Sequence, residues 1–289
     1  AIRNVVGIIQ ANPELAVKAV NLRKFGQEII SILGGRRIHP NFAIPGGVNR
    51  AMTIADRDKI LANLDESIKT IQIGIAVMKD WAQRNAEDIA KFAPLKSGYF
   101  GLVTPNNSLE LYDGDVRLVD VNGEQLEKFD GRNYLDIIAE HVESWSYLKF
   151  PYYKKLGWPN GVYRVGPLGR LNASDQIDTP LANKEHKIWK SINAGRPVEN
   201  TLYYHYARLI ETLFAAERVS IILSDPDVLS TDTLNTRQDF QGVGVGVNVL
   251  YQFQRLAVLQ RGEDDSADGL LLVGRHLLPG EHQRQLGAD

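Results

Sequence analysis

Residues 53–78 read TIADRDKILANLDESIKTIQIGIAVM, and this stretch decides the fold class. Its apolar positions Leu61, Leu64, Ile68, Ile71, Ile75 and Met78 step by 3, 4, 3, 4 and 3 residues. One face of an α-helix repeats on that spacing, and a stripe this long suits a helix that lines the interior of a bundle. Thr53 and Asp56 stand in the relation of a capping box, which satisfies N–H groups left without partners at a helix start. The spacing predicts one long helix, or two, over residues 53–92.

The flanking text supports a helical protein. Asn12 is a good N-cap, and Pro13 sits at the first helical position, where its missing N–H costs nothing. Leu15, Leu22, Phe25, Ile29 and Leu33 carry the helical spacing on to Gly34-Gly35, which stops it. Residues 131–148 predict a further helix, with Tyr134, Ile137, Ile138, His141, Val142 and Trp145 on its face. Residues 180–195 predict another. Residues 201–223, with Asn200 as cap and Leu202, Tyr206, Leu209 and Leu213 inward, predict a strong helix that ends near Asp225-Pro226.

Between these lies a change of period. Over 98–129 Leu109 and Leu111 alternate with polar residues, Val116, Leu118 and Val121 follow, and Asp113-Gly114 and Asn122-Gly123 are turn signals. This predicts a small antiparallel β insertion. Residues 150–180, rich in Pro, Gly and Tyr, read as irregular. The expected fold is therefore mainly α with a small antiparallel β insertion, an α+β protein around a helical-bundle core. Residues 1–247 form its main part, and 248–289 read as a divergent tail.

Composition narrows the chemistry. The 289 residues contain no cysteine, which excludes disulfides, a cysteine nucleophile and iron–sulfur or zinc ligation by cysteines of this chain. A net charge of −2 argues against a nucleic-acid partner. No apolar run reaches the roughly 18–20 residues of a membrane span, and no secretory leader is visible. We read the chain as cytoplasmic, and its opening at Ala1 as mid-domain sequence.

Motifs are few. Gly242-Val243-Gly244-Val245-Gly246 lacks the spacing and context of a phosphate-binding loop. Asn106-Asn107-Ser108 and Asn172-Ala173-Ser174 match the glycosylation pattern, which a cytoplasmic chain does not use. No two of the six histidines pair at i, i+4, which disfavours a helix-borne zinc site. His141 and His205 are expected on helices as core or interface residues. Arg208 and Glu211, at i, i+3, read either as a surface pair or as part of a buried network beside His205. Arg36, Arg37 and His39 stand out, because they fall in a Pro/Gly-punctuated loop of about seventeen residues directly after a capped helix, and loops that long are often functional.

LRKFGQEIISILGGRRIHPNFAIPGGVNRAMT (22–53), SWSYLKFPYY (144–153), VGPLGRLNASDQIDTPLANKE (165–185) and RPVENTLYYHYARLIETLFAAERV (196–219) resemble, in this order, text of the large subunits of nickel–iron hydrogenases. The similarity includes the text at 223–231, covers roughly residues 1–247 and is greatest to the bidirectional, NAD-linked cytoplasmic type. The resemblance implies a large helical domain, reversible oxidation of H2 at a nickel–iron centre with cyanide and CO on the iron, and an iron–sulfur small subunit and a diaphorase module as partners. In that family four cysteines in two CxxC pairs hold the metals. Both pairs are absent here, so the chain is expected to be a central fragment, to carry no metal and to be inactive alone.

By resemblance, Arg36, Arg37, His39, Pro40, Gly46 and Gly47 match a loop that lies against the small subunit near its proximal cluster. His39 would there assist electron or proton traffic. Arg170, Asn172, His205, Arg208 and Glu211 match framework text, and no residue is carried over as a metal ligand. Two other readings stand beside this one: a metal-free relative such as the quinone-site core subunit of respiratory complex I, and a non-catalytic interaction subunit.

Overall fold

The computed structural model describes residues 5–235 and the backbone of two further strands. In chain order the helices are α1 (Val5–Ala11), α2 (Pro13–Gly34), α3 (Ile54–Arg84), α4 (Ala86–Lys91), α5 (Tyr134–Ile137), α6 (Gly166–Ala173), α7 (Pro180–Ser191) and α8 (Tyr204–Ser224). The strands are β1 (Ala43–Ile44), β2 (Gly47–Val48), β3 (Gly98–Val103), β4 (Asp115–Val119), β5 (Gln125–Phe129), β6 (Ile138–Val142), β7 (Lys149–Tyr153), β8 (Tyr163–Arg164), β9 (Gly244–Asn248) and β10 (Arg255–Leu259). The expected divergent tail lies almost wholly outside the described residues; of it, β10 pairs antiparallel with β9.

The chain divides into two units. The first comprises Ala1–Pro94, Ile177–Ser191 and Asn200–Asp239, and the second Leu95–Gln176, Ile192–Glu199 and Phe240–Asp289.

The first unit is the helical one. Asn12 caps α2 by accepting from Leu15 N, and Gly35 takes the left-handed conformation at its end (φ 75°). Thr53 and Asp56 form the expected capping box on α3. α3 packs along α8, burying Ile60, Leu64, Ile71 and Ile75 with Tyr206, Ile210, Leu213 and Phe214 of α8. The stripe differs from expectation at its first position: Ile60 is buried (2% exposed) and Leu61 is not (36%). At about 100° per residue, four residues back from Leu64 falls nearer the packed face than three residues back.

α8 also holds α7. The buried Glu217 accepts from Leu181 N (2.9 Å), Ala182 N (2.8 Å) and Thr179 Oγ1 (2.6 Å), so a carboxylate from one helix serves the first turn of the next. Asn200 does not cap by its side chain. It donates to Ile89 O, and α8 is entered through the 3-10 turn Thr201–Tyr203 instead.

The second unit is built on a sheet of order β5-β4-β3-β8. β3, β4 and β5 pair antiparallel, as the alternation over 98–129 predicts. β8 adds a parallel strand from beyond that range. Phe100, Leu102, Val116, Leu118 and Tyr153 make a core on this sheet. α6 lies within the stretch read as irregular, and Pro167–Ala173 are all buried. Its backbone sits against β3 and β8: a Cβ on Gly101 would meet Arg170 Cα at 2.8 Å, and one on Gly169 would meet Arg164 O of β8 at 2.5 Å.

The helix expected over 131–148 is not formed. A 3-10 turn (Gly131–Asn133) and the single turn α5 lead into β6, which pairs antiparallel with β7. Cross-strand pairs decide this: Ile138 faces Tyr153 and His141 faces Phe150, and β-branched and aromatic neighbours stabilise a ribbon more than isolated helical spacing does. His141 is thus a strand residue. Its ring stacks on Trp158 (4.5 Å between centroids), and its Nε2 lies 3.0 Å from Glu143 Oε1.

Candidate functional site

The loop after α2 is built by a tight reversal. Asn41 N donates to Gly34 O (3.1 Å), and Pro40 closes on Gly34 so nearly that a Cβ on Gly34 would fall 2.2 Å from Pro40 Cβ. Within the reversal His39 adopts φ 51°, a left-handed conformation uncommon outside glycine. Arg36 holds it there. Its Nε donates to His39 O (2.6 Å) and its second guanidinium nitrogen to Asn41 Oδ1 (2.8 Å), a two-point grip that fits the planar fork of an arginine. Arg36, Arg37, Ile38, His39 and Pro40 are all exposed, Ile38 at 73%.

The chain then folds back as the hairpin β1–β2, with Ala43 opposite Val48 and Ile44 opposite Gly47. Gly46 supplies the positive φ of the turn (86°). A third segment closes on this hairpin: Gly47 bridges Leu234, with Val48 N donating to Thr233 O (2.9 Å) and Asn235 N to Gly46 O (2.8 Å). All six residues expected at this site therefore share one exposed loop.

The framework residues lie elsewhere. Arg170 (5% exposed) and Asn172 (3%) are buried on α6. Asn172 donates to Val198 O (2.9 Å) and accepts from Val198 N (3.0 Å), acting as a substitute backbone partner. Its burial also closes the glycosylation pattern at 172–174. On α8, Glu211 is buried (6%), so a surface pair does not describe it. His205 and Arg208 are exposed, which removes His205 from the core.

Sequence reasoning missed the segment 233–235, whose STDTLN context has no periodicity. The only signal was the Gly46-Gly47 doublet, since adjacent glycines mark close backbone approach. It also missed the cluster in which Tyr206 OH donates to Glu185 Oε2 (2.8 Å) while Lys79 Nζ pairs with the same oxygen (3.1 Å). Burial first, and the Glu185 carboxylate second, raise the Tyr206 hydroxyl well above its ordinary titration range.

No family model matches the chain. It is 40% identical over 247 residues to a protein of the vhu F420-non-reducing hydrogenase of Methanococcus voltae, a match that covers 86% of this chain and 58% of that protein. To the NAD-reducing hydrogenase HoxS subunit beta of Cupriavidus necator it is 38% identical over 254 residues, covering 86% of this chain and 52% of that one. Its fold superposes on a solved NAD+-reducing [NiFe]-hydrogenase in the H2-reduced state with a TM-score of 0.83 and 35% identity, covering 91% of this chain and 58% of that chain. The chain is homologous to nickel–iron hydrogenase subunits. A [NiFeSe]-hydrogenase of Dm. baculatum shares the fold at a TM-score of 0.65 and 17% identity. The hydrogenase homologue spans little more than half the length of these relatives, 58% and 52% of the two curated ones.

The residues at hand do not fit a nickel–iron centre. Soft thiolates suit those metals, and the chain has no cysteine. Among the described residues no group of three His, Asp or Glu side chains is placed to hold a metal ion. Among the same residues, no helix is long and apolar enough to cross a membrane.

Proposed function

We propose that this chain supplies the scaffold of a nickel–iron hydrogenase large subunit and the loop through which that scaffold meets an iron–sulfur subunit. One observation carries the reading. In a chain homologous to hydrogenase subunits, an exposed loop holds two arginines and a histidine on a backbone fixed by Arg36. Fixed donors on an exposed surface suit docking, because little conformational freedom is left to lose on binding.

The overall reaction on this reading is the reversible oxidation of H2 to two protons and two electrons. The electrons leave through the iron–sulfur subunit and a diaphorase module to NAD; the C. necator relative is named as part of an NAD-reducing hydrogenase. The metal centre takes its thiolates from outside these 289 residues, since none lies within them. Helices α3 and α8 form the rigid support, Arg170, Asn172 and Glu211 fill buried framework positions, and Arg36, Arg37 and His39 face the partner. A cytoplasmic, heteromeric protein goes with this reading, with residues 1–247 as its hydrogenase-like part.

Co-expression of the full chain with the iron–sulfur subunit tests it. Capture of that subunit is expected, and capture is lost when Arg36→Glu and Arg37→Glu are combined. Purified alone, the chain is expected to hold no stoichiometric nickel and to reduce no dye from H2. Failure to capture the iron–sulfur subunit, or one nickel per chain, overturns the reading.

A further inference from the structure

The loop that carries His39 is held in place by a segment some 190 residues further along the chain, and the manner of holding is specific. The hairpin β1–β2 has two residues per strand, far short of what stands alone in water. Its stability must therefore come from elsewhere. The antiparallel bridge of Gly47 to Leu234 provides it, flanked by the two backbone bonds from Val48 N to Thr233 O and from Asn235 N to Gly46 O.

The approach leaves no room for side chains. A Cβ on Gly47 would lie 2.0 Å from Thr233 O, and one on Gly46 would lie 3.0 Å from Asn235 O. The positive φ at Gly46 explains one glycine as a turn residue, and the backbone crossing explains the second. Leu234 is half-exposed (49%), so apolar burial does little to keep the segment in place. Backbone hydrogen bonds do, which makes the arrangement sensitive to the loss of one N–H.

We propose that Thr233–Asn235 is a strap that positions the docking loop, with Gly47 and Asn235 as positioning residues for the interface. The strap follows α8 through the short turn Pro226–Leu229, so it ties the loop to the end of the helix that packs on α3. Electron transfer across the interface then depends on a backbone clamp formed within this chain. The inference rests on the docking reading above, and the two are separable by experiment.

The test uses the full chain with its iron–sulfur subunit and three variants: Asn235→Pro, Asn235→Ala and Gly47→Ala. Proline removes the N–H given to Gly46 O, whereas alanine keeps it. Amide exchange over 36–50 reads the loop, the dissociation constant for the iron–sulfur subunit reads docking, and the thermal midpoint of the chain reads the core. Asn235→Pro and Gly47→Ala are expected to speed loop exchange about tenfold and to weaken docking by a similar factor, with the midpoint little changed. Asn235→Ala, which keeps that N–H, is expected to speed exchange and weaken docking less than Asn235→Pro does. Unchanged exchange in both Asn235→Pro and Gly47→Ala overturns the strap, and so does an alanine variant as impaired as the proline one. Faster exchange with unchanged docking upholds the strap and overturns the docking reading instead.

Discussion

Helix α6 and the Arg36–Gly47 loop both carry the family text, and physically they are opposites. Along α6 the residues from Pro167 to Ala173 are buried, polar ones included, and Asn172 stands in as a hydrogen-bond partner for the backbone of Val198. Along the loop, the charged and histidine side chains are exposed and the backbone is held in a conformation most residues avoid. Similar text thus marks two constraints. One is the need to fill a core without leaving a polar group bare. The other is the need to present groups outward from a fixed backbone. Burial separates the two, and the residue letters do not.

The sharpest way to break this contrast is Asn172→Ala. It strands the N–H and C=O of Val198 in the interior, and each bare group costs about 1–3 kcal/mol, so the fold should lose about 3 kcal/mol by denaturant titration. A loss near zero would show that water replaces the side chain and that α6 is not sealed. Gly169→Ala should cost about 2 kcal/mol, because its Cβ would press on Arg164 O, with Phe100 O also close at 3.0 Å. Calorimetry of this variant reads how tightly α6 seats on β8 and β3.

Thr53→Ala removes the capping box just beyond the loop and should cost about 1 kcal/mol. Measured helicity would fall only slightly, since α3 keeps its packing on α8. Arg37→Ala lies at the other end of the comparison. It should change stability by no more than about 0.5 kcal/mol while weakening capture of the iron–sulfur subunit. A large stability loss there would erase the distinction between loop and core.

The smallest effect is one of pH. Lys155 first, then the Tyr153 hydroxyl, hold the Glu127 carboxyl below its ordinary value of 4.5. A carboxyl lowered in the folded state adds stability above its unfolded value, and that stability is lost as pH falls through the folded one. Glu127→Gln should therefore flatten the loss of stability below about pH 4.5, and it also removes the carboxylate that raises the Lys155 ammonium. Parallel acid titrations of the two proteins measure it.

Much of the helical unit was legible in the sequence. The 3–4 stripe of α3, the caps at Asn12 and Thr53 and the glycine stop at Gly35 are local signals, written within one turn of where they act. The antiparallel strands over 98–129 were equally local, set by alternation and turn residues. The misreadings share a cause. Residues 131–148 have helical spacing, yet they pair as β6 with β7, because the partner strand outweighs the local preference. α6, with two glycines and a proline in eight residues, looks like a poor helix and survives because all of it from Pro167 on is buried.

The sequence by itself determined that this chain is mainly helical, that it offers no thiolate and that Arg36, Arg37 and His39 share one loop. Tertiary structure alone decided which polar residues are buried and which exposed, and it alone brought Thr233–Asn235 across Gly46-Gly47. The physical reason is range. Periodicity, caps and turn residues act over a few positions, whereas burial and backbone pairing join positions that the order of the chain leaves far apart.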